Sequence, residues 1–157
     1  MSAIARYYNH AGYNVSGYDK TPSKLTGKLE QEGISIHYTE DINAVPQDVE
    51  QTLVIYTPAI PTTHAELIYF QKNGFTIQKR SQVMGLLTQS SKGLCIAGTH
   101  GKTTTSSLIK HILEDNGGCN YFIGAGDGYA NPENKYFVVE CDDKVVIVQI
   151  DGVYKAI

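Results

Sequence analysis

Residues 94–104 read Leu-Cys-Ile-Ala-Gly-Thr-His-Gly-Lys-Thr-Thr, and this stretch decides the fold of the second half of the chain. Its four leading residues are apolar or small and predict a buried strand, residues 94–97. The glycines at 98 and 101 predict a tight loop, and residues 102–116 predict a helix that ends at Gly117 and Gly118. A strand, a glycine-containing loop and a helix that opens on Lys-Thr form the arrangement that a phosphate-binding loop requires.

The chemistry of this loop predicts a site for ATP. Glycines let backbone N–H groups approach phosphate oxygens, and the helix N-terminus adds a positive partial charge. The Lys102 ammonium is the predicted catalytic group, and the Thr103 hydroxyl is a predicted Mg²⁺ ligand. The loop is short, because Ile96 stands where a phosphate loop usually has its first glycine. A glycine-rich turn without a ligand is the alternative. The predicted ATP-binding residues are Gly98, Thr99, His100, Gly101, Lys102, Thr103 and Thr104.

A second apolar run, residues 136–139, ends in Glu140. In open α/β sheets the carboxyl ends of the strands face the ligand crevice. We therefore expect the Glu140 carboxylate to bind the same Mg²⁺ as Thr103, from the opposite side. The alternative is an acidic residue that leaves a strand and binds nothing.

The first half of the chain alternates short helices and strands, which predicts a parallel α/β sheet. Thr21 is the predicted cap of one helix, and residues 63–66 have the spacing of a capping box. No strand precedes the first helix, so we expect a strand upstream of it. The predicted helices are 2–11, one after Pro22, 63–74 and one after Ser81, and the predicted strands are 14–18, 34–38, 53–56 and 75–78.

Two domains are expected, because residues 89–93 are polar and small and separate the two patterns. The boundaries are 1–90 and 91–157. After Asp143 the sequence becomes an apolar run, then Asp151-Gly152, which is a hairpin signal. A small antiparallel pairing is predicted at that end.

Composition excludes several classes of function. The 157 residues carry a formal charge of −3, which gives no reason to expect nucleic acid or an acidic membrane as partner. No apolar run is long enough to span a bilayer, and no signal peptide is recognised. The three cysteines form no CxxC pair, which disfavours a zinc site and suits a reducing compartment. A cytoplasmic location is expected.

The loop sequence Gly-Thr-His-Gly-Lys-Thr-Thr-Thr resembles that of the Mur ligases, and residues 1–5, 16–19, 56–60 and 79–82 support the resemblance. The similarity runs from residue 1 to about residue 140. It implies a Rossmann-like parallel-sheet UDP-substrate domain followed by the start of a P-loop ATPase domain, incomplete at both ends. It further implies that ATP and Mg²⁺ activate the carboxylate of UDP-N-acetylmuramate as an acyl phosphate, which the amine of L-alanine attacks during peptidoglycan synthesis.

The UDP-substrate residues are expected where strands and helices meet. The amino end of the first helix, at Ser2, would face the diphosphate, and Asp19 would accept hydrogen bonds from the ribose. Ordinary turn or loop roles are the alternatives for the whole set. The set is Ser2, Asp19, Thr57, Pro58, Ala59, Arg80 and Ser81.

Other functions remain open at this level. A sister ligase that adds a recycled peptide to the same UDP sugar fits the same residues, and so does a non-catalytic nucleotide-binding module. A dinucleotide-dependent dehydrogenase is disfavoured, because no GxGxxG turn is present. We expect this chain by itself to have little or no ligase activity, because the resemblance places the amino-acid site in a further, C-terminal domain.

Overall fold

The computed structural model describes most of the chain, and residues 127, 147–150 and 153–156 are described by their backbone. The described residues are 1–89, 91–124, 127–140, 147–150 and 153–156. The chain divides into two units, Met1–Leu87 and Thr88–Ile157. Both contain helices and parallel strand pairs, which confirms the predicted α/β class.

Helices and strands alternate in the first unit, except that two strands (residues 35–37 and 53–56) follow one another, and their positions lie within about two residues of those predicted. β1 pairs in parallel with β2, and β3 pairs in parallel with β4, in two separate two-stranded sheets. α4 crosses the boundary between the units. The elements are α1 (Ser2–His10), β1 (Ser16–Tyr18), α2 (Lys24–Gln31), β2 (Ser35–His37), β3 (Leu53–Tyr56), α3 (Ala65–Lys72), β4 (Thr76–Lys79) and α4 (Arg80–Gln89).

The predicted cap of α2 is wrong. Ser23, and not Thr21, caps the helix: its side chain accepts from the Thr26 N–H at 3.1 Å. The Thr26 hydroxyl oxygen in turn accepts from the Ser23 N–H at 2.8 Å, which completes a capping box. A reciprocal pair of hydrogen bonds satisfies more of the helix's unpaired N–H groups than Thr21 alone could.

The capping box predicted at residues 63–66 is also wrong, although α3 begins at the expected place. Its N-cap is His64, whose side chain makes no capping hydrogen bond. Glu66 is buried and faces His37, with Oε1 2.9 Å from Nε2, so it does not return to the helix end. The Ala65 N–H instead donates to the Glu40 carboxylate at 2.8 Å. A tertiary carboxylate therefore replaces the local cap.

The second unit is built on a four-stranded sheet in the order β5-β8-β6-β7. β5, β8 and β6 are parallel, and β7 is antiparallel to β6. β9 and β10 form a separate antiparallel pair, as predicted for this end; Asp143 and Asp151-Gly152 lie outside the described residues. The elements are β5 (Lys92–Ile96), α5 (Lys102–Glu114), β6 (Asn120–Ile123), β7 (Asp127–Tyr129), β8 (Tyr136–Glu140), β9 (Ile147–Ile150) and β10 (Val153–Ala156).

The core of this unit lies on β6 and β8. Phe137 and Val138 are fully buried, and the rings of Phe122 and Phe137 stack with their centroids 5.3 Å apart. Burial of an aromatic or branched side chain of this size stabilises a fold by roughly 1.5–3 kcal/mol. These residues therefore anchor the strands whose ends carry the candidate site.

The inward face of α5 only partly coincides with the one that its apolar residues predict. We expect Leu108, Ile109, Ile112 and Leu113 to face inward; Ile109 and Leu113 are half-buried, but Leu108 and Ile112 are 60% and 61% exposed. Ser106 is the fully buried residue of this helix, and its hydroxyl donates to the Lys102 carbonyl at 2.9 Å. A small side chain that satisfies its own hydroxyl lets the helix approach the sheet closely.

Among the described residues, no helix is both long enough and apolar enough to cross a membrane.

The contact between α1 and the end of α2 predicts a pH effect on stability. The Arg6 guanidinium donates to both carboxylate oxygens of Glu32, at 2.6 and 2.9 Å, and these hydrogen bonds hold the pKa of Glu32 below its ordinary value. The ion pair thus stabilises the fold above the ordinary glutamate pKa of about 4.3, and this contribution is lost as the pH falls through the lower folded pKa.

Replacing Glu32 by glutamine should lower the free energy of unfolding by about 0.5 kcal/mol at neutral pH, since the Glu32 side chain is 37% exposed and solvent screens the pair. The difference from wild type should shrink as the pH falls below the ordinary glutamate pKa, measured by urea unfolding. Glu50→Gln, an exposed change in the same unit, is the matched control and should show no such trend. An undiminished difference between wild type and E32Q at low pH would contradict the assignment.

Candidate functional site

The site in the second unit is positioned by strand register. Parallel pairing sets Ile96, the last residue of β5, opposite Glu140, the last residue of β8. β6 pairs Phe122 with Val139, so its final residues emerge at the same sheet edge. The loop after β5 and the carboxylate at the end of β8 are therefore neighbours because of backbone pairing.

The loop turns at two glycines in conformations that other residues rarely adopt. Gly98 has φ 147° and Gly101 has φ 75°. Gly101 is the N-cap of α5, and the first intrahelical hydrogen bond runs from the Thr105 N–H to its carbonyl. The N–H groups of residues 102–104 precede that bond and lie at the positive end of the helix. The turn is therefore shaped to present backbone donors to an anion.

Three side chains meet at this turn. The Thr103 hydroxyl donates to Glu140 Oε1 at 2.9 Å, across 37 positions of sequence. The Lys102 ammonium donates to the Gly98 carbonyl at 2.6 Å, which folds the lysine back over the loop. Glu140 Oε2 accepts from the Gly124 N–H at 2.7 Å. The structure thus brings together the lysine, the threonine and the carboxylate that the sequence predicted.

The predicted loop residues other than Gly98, together with Glu140, line a surface pocket of about 300 Å³. Its lining residues are Thr99, His100, Gly101, Lys102, Thr103, Thr104 and Glu140. Hydroxyl and carboxylate oxygens are the ligands that Mg²⁺ prefers, and a lysine beside backbone N–H groups suits phosphate. The donor set therefore fits a magnesium nucleotide.

Thr99 and His100 lie between the two glycines of the loop. His100 Nδ1 lies 3.2 Å from Thr99 Oγ1, and both side chains are exposed. This contact ties neighbouring side chains to each other, and the main chain of residues 98–101 provides the turn itself.

In the first unit the structure places Arg80 near the amino end of α1. Met1 is exposed as a residue, but its amino group is partly buried; this burial first, and the Arg80 charge second, lower the pKa of the amine to about 6. Arg80 Nε is buried and has no hydrogen-bond acceptor among the described residues. A buried cationic donor without an acceptor, close to a helix N-terminus, fits an anionic ligand.

The remaining predicted UDP-substrate residues lie after the carboxyl ends of strands. Asp19 follows β1, and its Oδ1 accepts from the Thr21 N–H at 3.1 Å, which is the turn-forming role left open above. Residues 57–59 follow β3 in a turn closed by the Ile60 N–H donating to the Thr57 carbonyl at 3.1 Å. Ser81 is the exposed second residue of α4. The described contacts join none of them to Arg80 or Ser2.

Sequence reasoning missed Gly124. It lies in a stretch without a recognisable motif, and its φ of 59° appears only in the fold. The one available signal was a glycine directly after an apolar run, residues 121–123.

The fold and site define the class: an α/β chain whose sheet edge carries a glycine turn, a lysine and a threonine–carboxylate pair. Residues 1–92 match the family described as "Mur ligase family, catalytic domain", and residues 96–146 match the "Mur ligase middle domain". The chain belongs to the Mur ligase family.

Curated relatives share this sequence along most of its length. A protein of Phocaeicola vulgatus named UDP-N-acetylmuramate--L-alanine ligase is 49% identical over 91% of the chain, and one of the same name from Porphyromonas gingivalis is 43% identical over 96%. The chain spans about a third of the length of these relatives, since each match covers 33% of that protein.

Solved structures share the fold. The UDP-N-acetylmuramate-alanine ligase of Thermotoga maritima superposes with a TM-score of 0.74 at 22% identity, over 89% of this chain and 34% of that one. A UDP-N-acetylmuramate:L-alanyl-gamma-D-glutamyl-meso-diaminopimelate ligase from Neisseria also gives 0.74, at 23% identity, over 90% of this chain and 49% of that one. At these identities the likeness establishes architecture.

The left-handed conformation of Gly101 predicts which substitutions the loop tolerates. Gly101→Val should lower the free energy of unfolding by about 1–3 kcal/mol, because a β-branched residue is strained at this φ. Gly101→Asn should cost less, because asparagine tolerates the left-handed region. Urea unfolding measures both.

Gly93→Val is the matched control, at a strand position of the same unit with ordinary φ and no close contact for an added Cβ. Equal costs for valine at residues 93 and 101 would refute the role assigned to the turn conformation.

Proposed function

We propose that this chain provides the nucleotide-binding loop and part of the UDP-sugar site of a ligase that joins L-alanine to UDP-N-acetylmuramate with ATP. Residues 1–90 form the UDP-substrate domain in this proposal, and residues 91–157 begin the ATP-binding domain. The reaction would proceed through an acyl phosphate on the sugar's carboxylate.

The observation that carries the proposal is the contact between Thr103 and Glu140 beside Lys102. Their side chains arrive from a helix and from a strand 37 positions apart, and meet within 2.9 Å at the turn. A glycine turn without a ligand has no need for an acidic residue facing the hydroxyl that follows its lysine. A ligand-binding role explains all three side chains together.

Each residue of the loop has a separate task in this proposal. Lys102 leaves the Gly98 carbonyl and neutralises charge on the phosphoryl group being transferred, while the N–H groups of residues 102–104 hold the phosphate oxygens. Thr103 and Glu140 would hold Mg²⁺, which when bound neutralises charge on the phosphate oxygens. The hydrogen bond between Thr103 and Glu140 holds the two oxygens next to each other on one side of the loop.

The UDP sugar is assigned to the first unit. Arg80 supplies a buried donor, and the amino end of α1 at Ser2 supplies a positive partial charge, both suited to a diphosphate. The Asp19 carboxylate oxygen that does not bind the Thr21 N–H would accept a hydrogen bond from a ribose hydroxyl. Residues 57–59 and Ser81 would complete the crevice.

L-alanine is the proposed amine because relatives 43–49% identical to the chain carry that name. The Neisseria ligase, named for a peptide substrate, shares the fold at 23% identity. The higher sequence identity to the L-alanine ligases is the observation that favours L-alanine over a peptide as the substrate.

Lys102→Ala should weaken binding of a nonhydrolysable ATP analogue with Mg²⁺ by roughly 10- to 100-fold, because a charged hydrogen bond to phosphate is lost. Isothermal titration measures this. Lys135→Ala removes an exposed lysine of the same unit and should leave the affinity within about twofold. Equal affinity for K102A and wild type would reject the nucleotide site.

Arg80→Ala should weaken binding of UDP-N-acetylmuramate by about 10-fold or more, because the diphosphate loses a buried cationic donor. Lys79→Ala, the exposed neighbour at the end of β4, is the matched control and should change the affinity little. Should K79A prove as damaging as R80A, the diphosphate would not lie at Arg80.

A further inference from the structure

The Glu140 carboxylate is held at both of its oxygens. Oε1 accepts from the Thr103 hydroxyl at 2.9 Å, and Oε2 accepts from the Gly124 N–H at 2.7 Å. Gly124 directly follows β6, the strand that neighbours β8 in the sheet. The carboxylate at the end of one strand is thus fixed by the main chain at the end of the next.

This second hydrogen bond restricts the carboxylate. A glutamate side chain has three rotatable bonds, and a hydrogen bond to Thr103 alone would leave the carboxylate plane free to turn. The backbone N–H that binds Oε2 is an uncharged donor, so it restrains the carboxylate without neutralising it. Oε1 is thereby kept directed at Thr103.

Residue 124 requires glycine because of its backbone conformation, and not because a side chain would lack room there. The φ of 59° is left-handed, while an added Cβ would lie 3.9 Å from Glu140 Oε2, an ordinary contact distance. Asparagine can adopt this φ, and a β-branched residue cannot without strain. A residue that is strained at this φ can relieve the strain only by rearranging the turn, and that rearrangement would displace the N–H from Glu140.

We propose that Gly124 is a positioning residue: its main-chain N–H orients the Glu140 carboxylate for the metal of a magnesium nucleotide. The inference rests on the proposed function, in which Thr103 and Glu140 hold that metal. Groups that orient a metal ligand commonly change metal affinity by about 10- to 100-fold when lost.

The test is a double-mutant cycle of Gly124→Val and Glu140→Gln in the full chain. The readout is the ratio of affinities for a nonhydrolysable ATP analogue with and without Mg²⁺, measured by titration calorimetry. G124V should lower this ratio about 10-fold. In the E140Q background the same change should alter it by less than about twofold, because the group that Gly124 orients has lost its charge.

Two further variants separate positioning from simple destabilisation. Gly124→Asn keeps the left-handed backbone and should restore most of the ratio that valine loses. Gly117→Val strains a glycine of φ 109° at the end of α5, away from the pocket, and should leave the ratio unchanged. If G124V does not fold, a second measurement tests the same hydrogen bond. In an ¹⁵N-labelled chain, E140Q should move the Gly124 amide proton resonance upfield, because the charged acceptor of that N–H is neutralised.

The possible failures are distinguishable. A wild-type chain that binds the analogue equally with and without Mg²⁺ would overturn the proposed metal site and this inference with it. A wild-type chain with Mg²⁺-dependent binding but additive effects in the cycle would overturn only the role of Gly124. An unmoved Gly124 amide resonance in E140Q, or an equal loss of the ratio in G117V, would do the same.

Discussion

Parallel pairing of β5 with β8 is the constraint on which the candidate site depends. The register sets Ile96 opposite Glu140, and the loop of residues 98–101 can begin only where β5 ends. Packing of fully buried Phe137 holds β8 in that register, since a slip of one residue would move Phe137 off the Phe122 ring on which it stacks. Core packing on one strand therefore decides which carboxylate faces the Thr103 hydroxyl.

The same logic connects the sheet to the chemistry of the loop. A strand end supplies Glu140, a helix start supplies Thr103, and the next strand end supplies the Gly124 N–H. None of these groups is unusual alone. Their convergence places negative charge opposite the positive end of α5, beside a lysine, which is the arrangement that phosphate and a divalent cation need together.

The first unit is organised differently, because its strands form two separate parallel pairs. Its candidate ligand groups therefore depend on helix ends and turns more than on one sheet edge. Arg80 is the group whose environment points to an anion, because its Nε is buried near the start of α1 and has no hydrogen-bond acceptor in the described part of the chain. Asp19 is already engaged by the Thr21 N–H, so its place in a ligand site rests on its remaining oxygen.

The amino-acid sequence by itself determined the alternation of helices and strands, the glycine turn with Lys102 and Thr103, and the strand that ends in Glu140. These features are local: periodicity, glycine and a lysine at a helix start are readable within a dozen residues. Only the tertiary structure decided the caps of α2 and α3, the inward face of α5 at Ser106, and the hydrogen bond from Gly124 to Glu140. Each of these depends on which partner a folded chain brings within 3 Å. Local pattern cannot rank partners that lie far apart in sequence, because their proximity is set by the packing and register of the whole unit.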